Sequence, residues 1–189
     1  SGLKSVGENR VQEALSKMDD ADSAMGWELI GPLQSNKAKK VAECFDRVQS
    51  VDRAKVAKAL QRYASEAERN LGVLLQINAG ADPNKSGASL EEASALMECA
   101  LGQSNLKIDG LMTIAPLDDD PAVARACFAA LRKCRDRLEA SFGVILPELS
   151  MGMIWSLRFK RVARWYGLER PCMGSVITRD FVASHGGKN

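Results

Sequence analysis

Trp27-Glu28-Leu29-Ile30-Gly31-Pro32-Leu33-Gln34-Ser35-Asn36-Lys37 passes from a short apolar strand, through a Gly-Pro turn, into the polar start of a basic helix, Ala38-Lys39-Lys40-Val41-Ala42. A strand, a tight turn and a helix start make a βα junction, where the first N–H groups of the helix have no partner within it. The same grammar recurs on both sides of this stretch. Strand-like runs are predicted over residues 3–7, 27–31, 47–51, 72–78, 106–114 and 146–151, with helices over 9–18, 35–44, 52–68, 89–101 and 121–142. Asp52 and Asp120-Pro121 read as helix caps. Gly72-Val73-Leu74-Leu75-Gln76-Ile77-Asn78 is nearly continuous in apolar residues, as a strand covered on both faces must be. On the 121–142 helix, Phe128, Leu131, Cys134 and Leu138 share one apolar face.

Strands separated by helices imply βαβ units and a parallel sheet. No Gly-x-Gly-x-x-Gly turn follows any of these strands, which counts against a dinucleotide fold. The expected fold is α/β, a (β/α)8 TIM-barrel-like architecture of which about six strands are recognisable, and so an incomplete one. An open barrel exposes apolar strand edges, so marginal stability, oligomerisation or aggregation is expected unless the tail fills the gap, the state itself being a monomer or weak oligomer.

Composition narrows the chemistry. The 189 residues are 46% hydrophobic and 26% charged, with a net charge of +2, an ordinary balance for one globular domain. No window has the apolar length of a membrane span and no signal-peptide pattern opens the sequence. The five cysteines (44, 99, 127, 134, 172) form no close metal-ligand pairs and sit mostly in apolar helical contexts. Buried reduced thiols and a cytoplasmic location follow. The single histidine, His185, lies in a terminal Ser-His-Gly-Gly stretch, so histidine catalysis is not expected.

Charge is uneven. Residues 154–189 hold seven Lys/Arg against Glu169 and Asp180, a balance of +5 beside −3 for everything before. Two regions are therefore expected: a partial (β/α) barrel over 1–153 and a divergent basic tail over 154–189. Residues 156–167 can form a basic amphipathic helix, which suits a solvated or capping face better than nucleic acid or a membrane.

In a barrel, ligand-binding groups collect where strands end. Those ends carry Asn9, Gly31, Asp52, Asn78, Thr113 and Ser150-Met151-Gly152-Met153. Small, uncharged polar groups dominate, as a phosphate approached by backbone requires. No carboxylate pair, His cluster or Cys cluster accompanies them, so glycosidase, zinc and thiol chemistry are disfavoured. Individually each has a plainer reading: Asn78 can simply end its strand, Ser150 can satisfy neighbouring backbone, and the Met-Gly-Met run can fill a core.

Five segments taken in order say more. Gly7-Glu8-Asn9-Arg10-Val11-Gln12-Glu13, Ile30 to Lys37, Gln76-Ile77-Asn78 with Asn84-Lys85-Ser86-Gly87, Gly110-Leu111-Met112-Thr113-Ile114, and Leu149-Ser150-Met151-Gly152-Met153 together resemble the pyridoxal phosphate homeostasis proteins (the YggS/PROSC family), relatives of the alanine racemase N-terminal barrel. The resemblance covers residues 7–153. It implies a fold-type III barrel that carries pyridoxal 5′-phosphate (PLP), without substrate turnover, in cofactor homeostasis. Asn9, Asn78, Met112, Ser150 and Gly152 are the cofactor-binding residues it implies, with no catalytic residue and no metal.

Two departures accompany it. The family's Schiff-base lysine lies on a first strand that the sequence, beginning Ser1-Gly2-Leu3, is expected to lack. After Met153, Ile154-Trp155-Ser156-Leu157-Arg158 replaces the family's Ser and acidic continuation, and Gly174-Ser175 is the one echo of its phosphate loop. A frameshift or fusion at Ile154 is one explanation, and impaired PLP binding is the expected consequence. Two other roles stay open: an alanine-racemase-like enzyme fragment, for which Tyr63 and Tyr166 are the available tyrosines, and a scaffold acting through the basic tail.

Overall fold

The computed structural model describes residues 5–21, 24–153 and 176–179. Six strands run parallel and lie side by side in sequence order: β1 (Ser5–Glu8), β2 (Gly26–Leu29), β3 (Arg47–Val51), β4 (Leu71–Gln76), β5 (Leu106–Ala115) and β6 (Glu148–Met153). Between them come α1 (Val11–Met18), α2 (Ala38–Cys44), α3 (Ala54–Glu66), α4 (Ala93–Leu101) and α5 (Pro121–Phe142). Neighbouring helices touch in sequence order, α1 on α2 through to α4 on α5, so they cover one face of the sheet. A sheet wound in one direction with helices on one face curls into a half-barrel, as the right-handed βαβ connection requires. A seventh strand, β7 (Val176–Arg179), pairs antiparallel with β6. These four residues come from the expected tail; the helix expected over 156–167 and the Gly174-Ser175 echo fall outside the described residues.

The core lies between sheet and helices. Leu29, Phe45, Leu60, Leu75, Met97, Leu111 and Leu131 are all fully buried, and each such side chain contributes about 1.5–3 kcal/mol on leaving water. On α5 the buried stripe is Cys127, Leu131, Cys134 and Leu138, with Phe128 half-buried beside it. Both ends of α5 are capped. The Asp120 carboxylate accepts from the Ala122 N–H at 2.8 Å and Gly143 adopts the left-handed conformation at φ 65°.

Helix boundaries differ from expectation where local side chains compete with the helix. Arg53, not Asp52, occupies the N-cap of α3, because the Asp52 carboxylate is taken by the Arg53 guanidinium at 2.6–2.7 Å. Before α4, Ser89 and Glu92 bond reciprocally at 3.0 and 3.2 Å, a capping box around the turn that leads into the regular helix at Ala93.

Candidate functional site

Alternation along a strand sends every second side chain away from the helices. In this sheet that inner face carries a buried polar network beside Met112 and Leu74. Glu28, Gln49, Asp109, Glu148 and Ser150 are each at most 8% exposed, and they are joined in two layers.

The lower layer centres on Arg47. Its guanidinium bonds the Glu148 carboxylate, lies 3.3 Å from Asp109 Oδ2 and 4.0 Å from Glu28 Oε2, and Lys107 Nζ approaches Asp109 Oδ1 at 2.9 Å. Burial works to lower the Arg47 pKa. The Glu148 hydrogen bond and the charges of Glu28, Glu148 and Asp109 outweigh it and hold the guanidinium above its ordinary value. Gly72 leaves room for this crossing: a Cβ there would lie 3.0 Å from Asp109 Oδ2 and 3.5 Å from Arg47 Nε.

The upper layer lies nearer the strand ends. Ser150 Oγ donates to Gln49 Oε1 at 2.7 Å, Gln49 Nε2 donates to Glu28 Oε2 at 2.7 Å, and Ser5 Oγ donates to Glu28 Oε1 at 2.9 Å. Both layers bridge β3 to β6 across the face of β4 and β5.

The five nominated residues divide. Ser150 is fully buried in the upper layer, and Met112, its register partner on β5, is 1% exposed. Gly152 is next along the same face, half-buried and paired with Ile114. Asn9 is exposed after β1, where its carbonyl sits under Gly31. Asn78 turns to its own loop: Nδ2 donates to Asp82 O at 2.8 Å and Oδ1 accepts from Asp82 N at 3.1 Å. It therefore shapes the 78–87 segment, in which Gly87 has φ +129°. Thr113, at a strand end in sequence, faces the helices, with its hydroxyl 3.7 Å from Cys127 Sγ. Lys37 is half-buried beside the Gly31 turn, and Lys39 and Lys40 are exposed on α2.

The glycines of the sheet separate by what a side chain would meet. A Cβ at Gly31 would fall 2.0 Å from Asn9 O, and one at Gly110 would fall 1.8 Å from Glu148 O. Both glycines are imposed by backbone packing. At Gly152 the nearest atoms would be Ile114 Cγ1 at 3.4 Å and Thr113 O at 3.5 Å, an ordinary contact. Among the described residues, packing does not demand a glycine at 152.

Sequence reasoning missed Glu28, Arg47, Gln49, Asp109 and Glu148. The signal for some of them was a polar residue beside apolar neighbours within a strand: Glu28 between Trp27 and Leu29, Gln49 after Val48, Glu148 before Leu149. An apolar groove of about 450 Å³ lies at the opposite end of the sheet, lined by Met97, Leu101, Leu106, Ile108, Val144 and Ile145. It shares no residue with the strand-end site.

The profile of the family described as alanine racemase, N-terminal domain, matches residues 1–156. A pyridoxal phosphate homeostasis protein of Aquifex aeolicus is 40% identical over 153 residues, covering 80% of this chain and 67% of its own length. Its counterpart in Pseudomonas aeruginosa is 41% identical over 154 residues, covering 81% and 65%. The chain thus spans about two thirds of the length of these relatives. Among solved structures, PipY of Synechococcus elongatus with PLP bound aligns with a TM-score of 0.72 at 35% identity, over 85% of this chain and 76% of that one. An alanine racemase of Clostridium difficile aligns with a TM-score of 0.67 at 10% identity, over 79% of this chain and 38% of that one, a likeness of fold alone.

Proposed function

The chain belongs to the alanine racemase N-terminal domain family, among the pyridoxal phosphate homeostasis proteins, and on that footing we propose that it binds PLP and serves in intracellular PLP homeostasis without turning over a substrate. Gly152 is the observation that supports this most directly, because its missing side chain has no cause within the described packing. A glycine near the end of β6 suits a phosphate, which is held at close range by main-chain N–H groups. Met112 offers an apolar floor, Ser150 a fixed hydroxyl and Asn9 a wall across the strand ends, while Asn78 shapes the neighbouring loop. Bound PLP supplies an aldehyde reactive toward amines and an electron-withdrawing ring.

Holding rather than catalysis fits what surrounds these residues. Tyr63 packs against the outer core on α3, with the Arg62 guanidinium 5.2 Å from its ring, far from the role of a proton-transfer group at the strand ends. Tyr166 lies outside the described residues. A cytoplasmic setting is supported by Cys127 and Cys134, which are buried and unpaired. Among the described residues no helix is long and apolar enough to cross a membrane.

Titration of the whole chain with PLP, followed by absorbance and equilibrium dialysis, tests this. Weak but saturable binding is expected, in keeping with the impaired affinity expected from sequence, and weakened at least tenfold further by Gly152→Ala while the thermal midpoint of that variant stays within about 2 °C, since the added methyl makes only ordinary contacts. A wild-type chain that binds no PLP, or a Gly152→Ala chain that binds it equally well, refutes the assignment.

A further inference from the structure

At the end of the sheet opposite Ser150 and Gly152, Met97 and Leu101 of α4, Leu106 and Ile108 of β5 and residues 143–146 line an apolar groove of about 450 Å³. Among the described residues three large apolar side chains are exposed. Two of them, Leu101 at 44% and Ile145 at 77%, stand on this groove. Apolar surface gathered in one concave place is the mark of a docking site, whereas scattered exposure is not. The course of β7 shows which part of the chain comes nearest to it. β7 runs antiparallel to β6, with Val176 across from Met151 and Arg179 across from Glu148, so it descends toward the groove's end of the sheet. Carried two residues further, the same register would set position 181 across from Leu146, about 5 Å away.

The sequence after Arg179 reads Asp180-Phe181-Val182-Ala183-Ser184-His185-Gly186-Gly187-Lys188-Asn189, with its one aromatic residue at 181. We propose that Phe181, with Val182 beside it, turns under the start of β6 and fills this groove, so that the chain's own C-terminal segment latches α4 and β5 to residues 143–146. Reach and chemistry agree. The groove lies on the β5 side of β6, about two strand spacings or 10 Å from β7, and three extended residues span about 10 Å. A phenylalanine buries about 150–250 Å², a load suited to so small a groove. Being tethered, the segment meets the groove at an effective concentration in the millimolar range, so a contact of two apolar side chains suffices. A second copy of the chain would need a total buried area of about 1,200 Å² or more, which Leu101 and Ile145 do not offer.

Disulfide trapping in the full chain tests the contact directly. Ile145→Cys and Phe181→Cys are combined, oxidised glutathione is added, and peptide mass mapping locates the bond; Ile145→Cys alone shows any pairing with the native cysteines. A disulfide forms only where the two Cα atoms come within about 7 Å. A bond between positions 145 and 181 of one chain is therefore expected in at least about half of the molecules. Bonds found only between chains assign the groove to a second copy and overturn the proposal, as does the lack of any bond between these positions.

A double-mutant cycle gives a second readout that needs no sulfur chemistry. Ile145→Ser alters a side chain that is 77% exposed, so the variant keeps the packing of the described residues and remains folded. Ile145→Ser and Phe181→Ser are each expected to lower the urea midpoint and to raise the fluorescence of an apolar-surface dye at least twofold. Together they should lower the midpoint no further than the worse of the two alone, because each removes the same contact. Additive losses, or single variants indistinguishable from wild type, overturn the latch.

Discussion

Replacing Arg47 by methionine keeps most of the side-chain volume and removes the one cation at the centre of the lower polar layer. Three carboxylates then face one another: Glu148, Asp109 and Glu28, whose side chains are 7–10% exposed. In an effective dielectric of about 20, unit charges 4 Å apart interact by about 4 kcal/mol. Each of the three attractions to Arg47 is of that order before desolvation is subtracted. Removing one partner of a buried ion pair costs about 3–5 kcal/mol net, because the charge left behind is uncompensated. Lys107, 2.9 Å from Asp109, still covers one of the three, and this places the expected loss within that range rather than above it. Against a total stability of about 5–15 kcal/mol for a domain, the variant would stand near its folding threshold. The sign with pH is also fixed. Repulsion among crowded carboxylates is relieved when one of them takes up a proton, so the deficit should shrink as pH falls. Urea unfolding of Arg47→Met at pH 7.5 and pH 5 should therefore show the larger deficit at pH 7.5. Adding Glu148→Gln should recover at least about 1 kcal/mol, a coupling between groups in contact. A deficit under 1 kcal/mol at pH 7.5, or one that does not shrink at pH 5, refutes this account of the layer.

The other expectations concern the thiols and the Gly31 turn. Burial pushes the Cys127 and Cys134 thiols up, against smaller pulls from the Thr113 hydroxyl and from Arg137. Below the ordinary thiol pKa of about 8.5 both are neutral folded or unfolded; above it the unfolded chain gains by ionising, so stability should decline as pH rises from 8 to 10, read by urea midpoints. At pH 8, mass mapping after alkylation should find Cys44 and Cys99, both half-buried, modified at least tenfold faster than Cys127 and Cys134. Gly31→Ala places a methyl 2.0 Å from the Asn9 carbonyl oxygen, a backbone atom that cannot swing aside. Overpacking of this kind costs about 1–3 kcal/mol, equivalent to a fall of roughly 3–10 °C in the melting temperature, and a melt within 1 °C of wild type would contradict it.

The strand–helix alternation was legible because each element carried its own signal. The apolar run at 72–78, the Asp120-Pro121 start and the period of α5 needed no tertiary knowledge, and β3 lies where its sequence put it. The start of α3 was misplaced by one residue because Asp52 had a competitor, Arg53, whose preference for the carboxylate shows only in three dimensions. Ser150 and Met112 share a face because β5 and β6 are in register, which the motif order implied but could not fix. Thr113 looked equivalent to them, yet faces Cys127, since a strand of alternating direction gives neighbours opposite environments. The ionic and amide layers were invisible for a different reason. Arg47 and Glu148 are 101 positions apart, as are Gln49 and Ser150, and no local pattern links residues at that distance.

Those two long-range bonds bear on how the strand-end site keeps its shape. β3 and β6 are not neighbours in the sheet; β4 and β5 lie between them, and a side chain can span that width only if the sheet is strongly curved and the residues beneath are small. Gly72 and Gly110 meet the second condition, the first by leaving Arg47 its path and the second by lying against the Glu148 backbone. Each bridge in turn holds the curvature that permits it, because straightening the sheet would separate Arg47 from Glu148 and Gln49 from Ser150 and leave buried polar groups unpaired. The curvature between β3 and β6 is thus fixed by groups within those four strands. Ser150, Met112 and Gly152 all stand on the strands so held, which is why the end of β6 can keep its geometry independently of what pairs with the outer edge of β1.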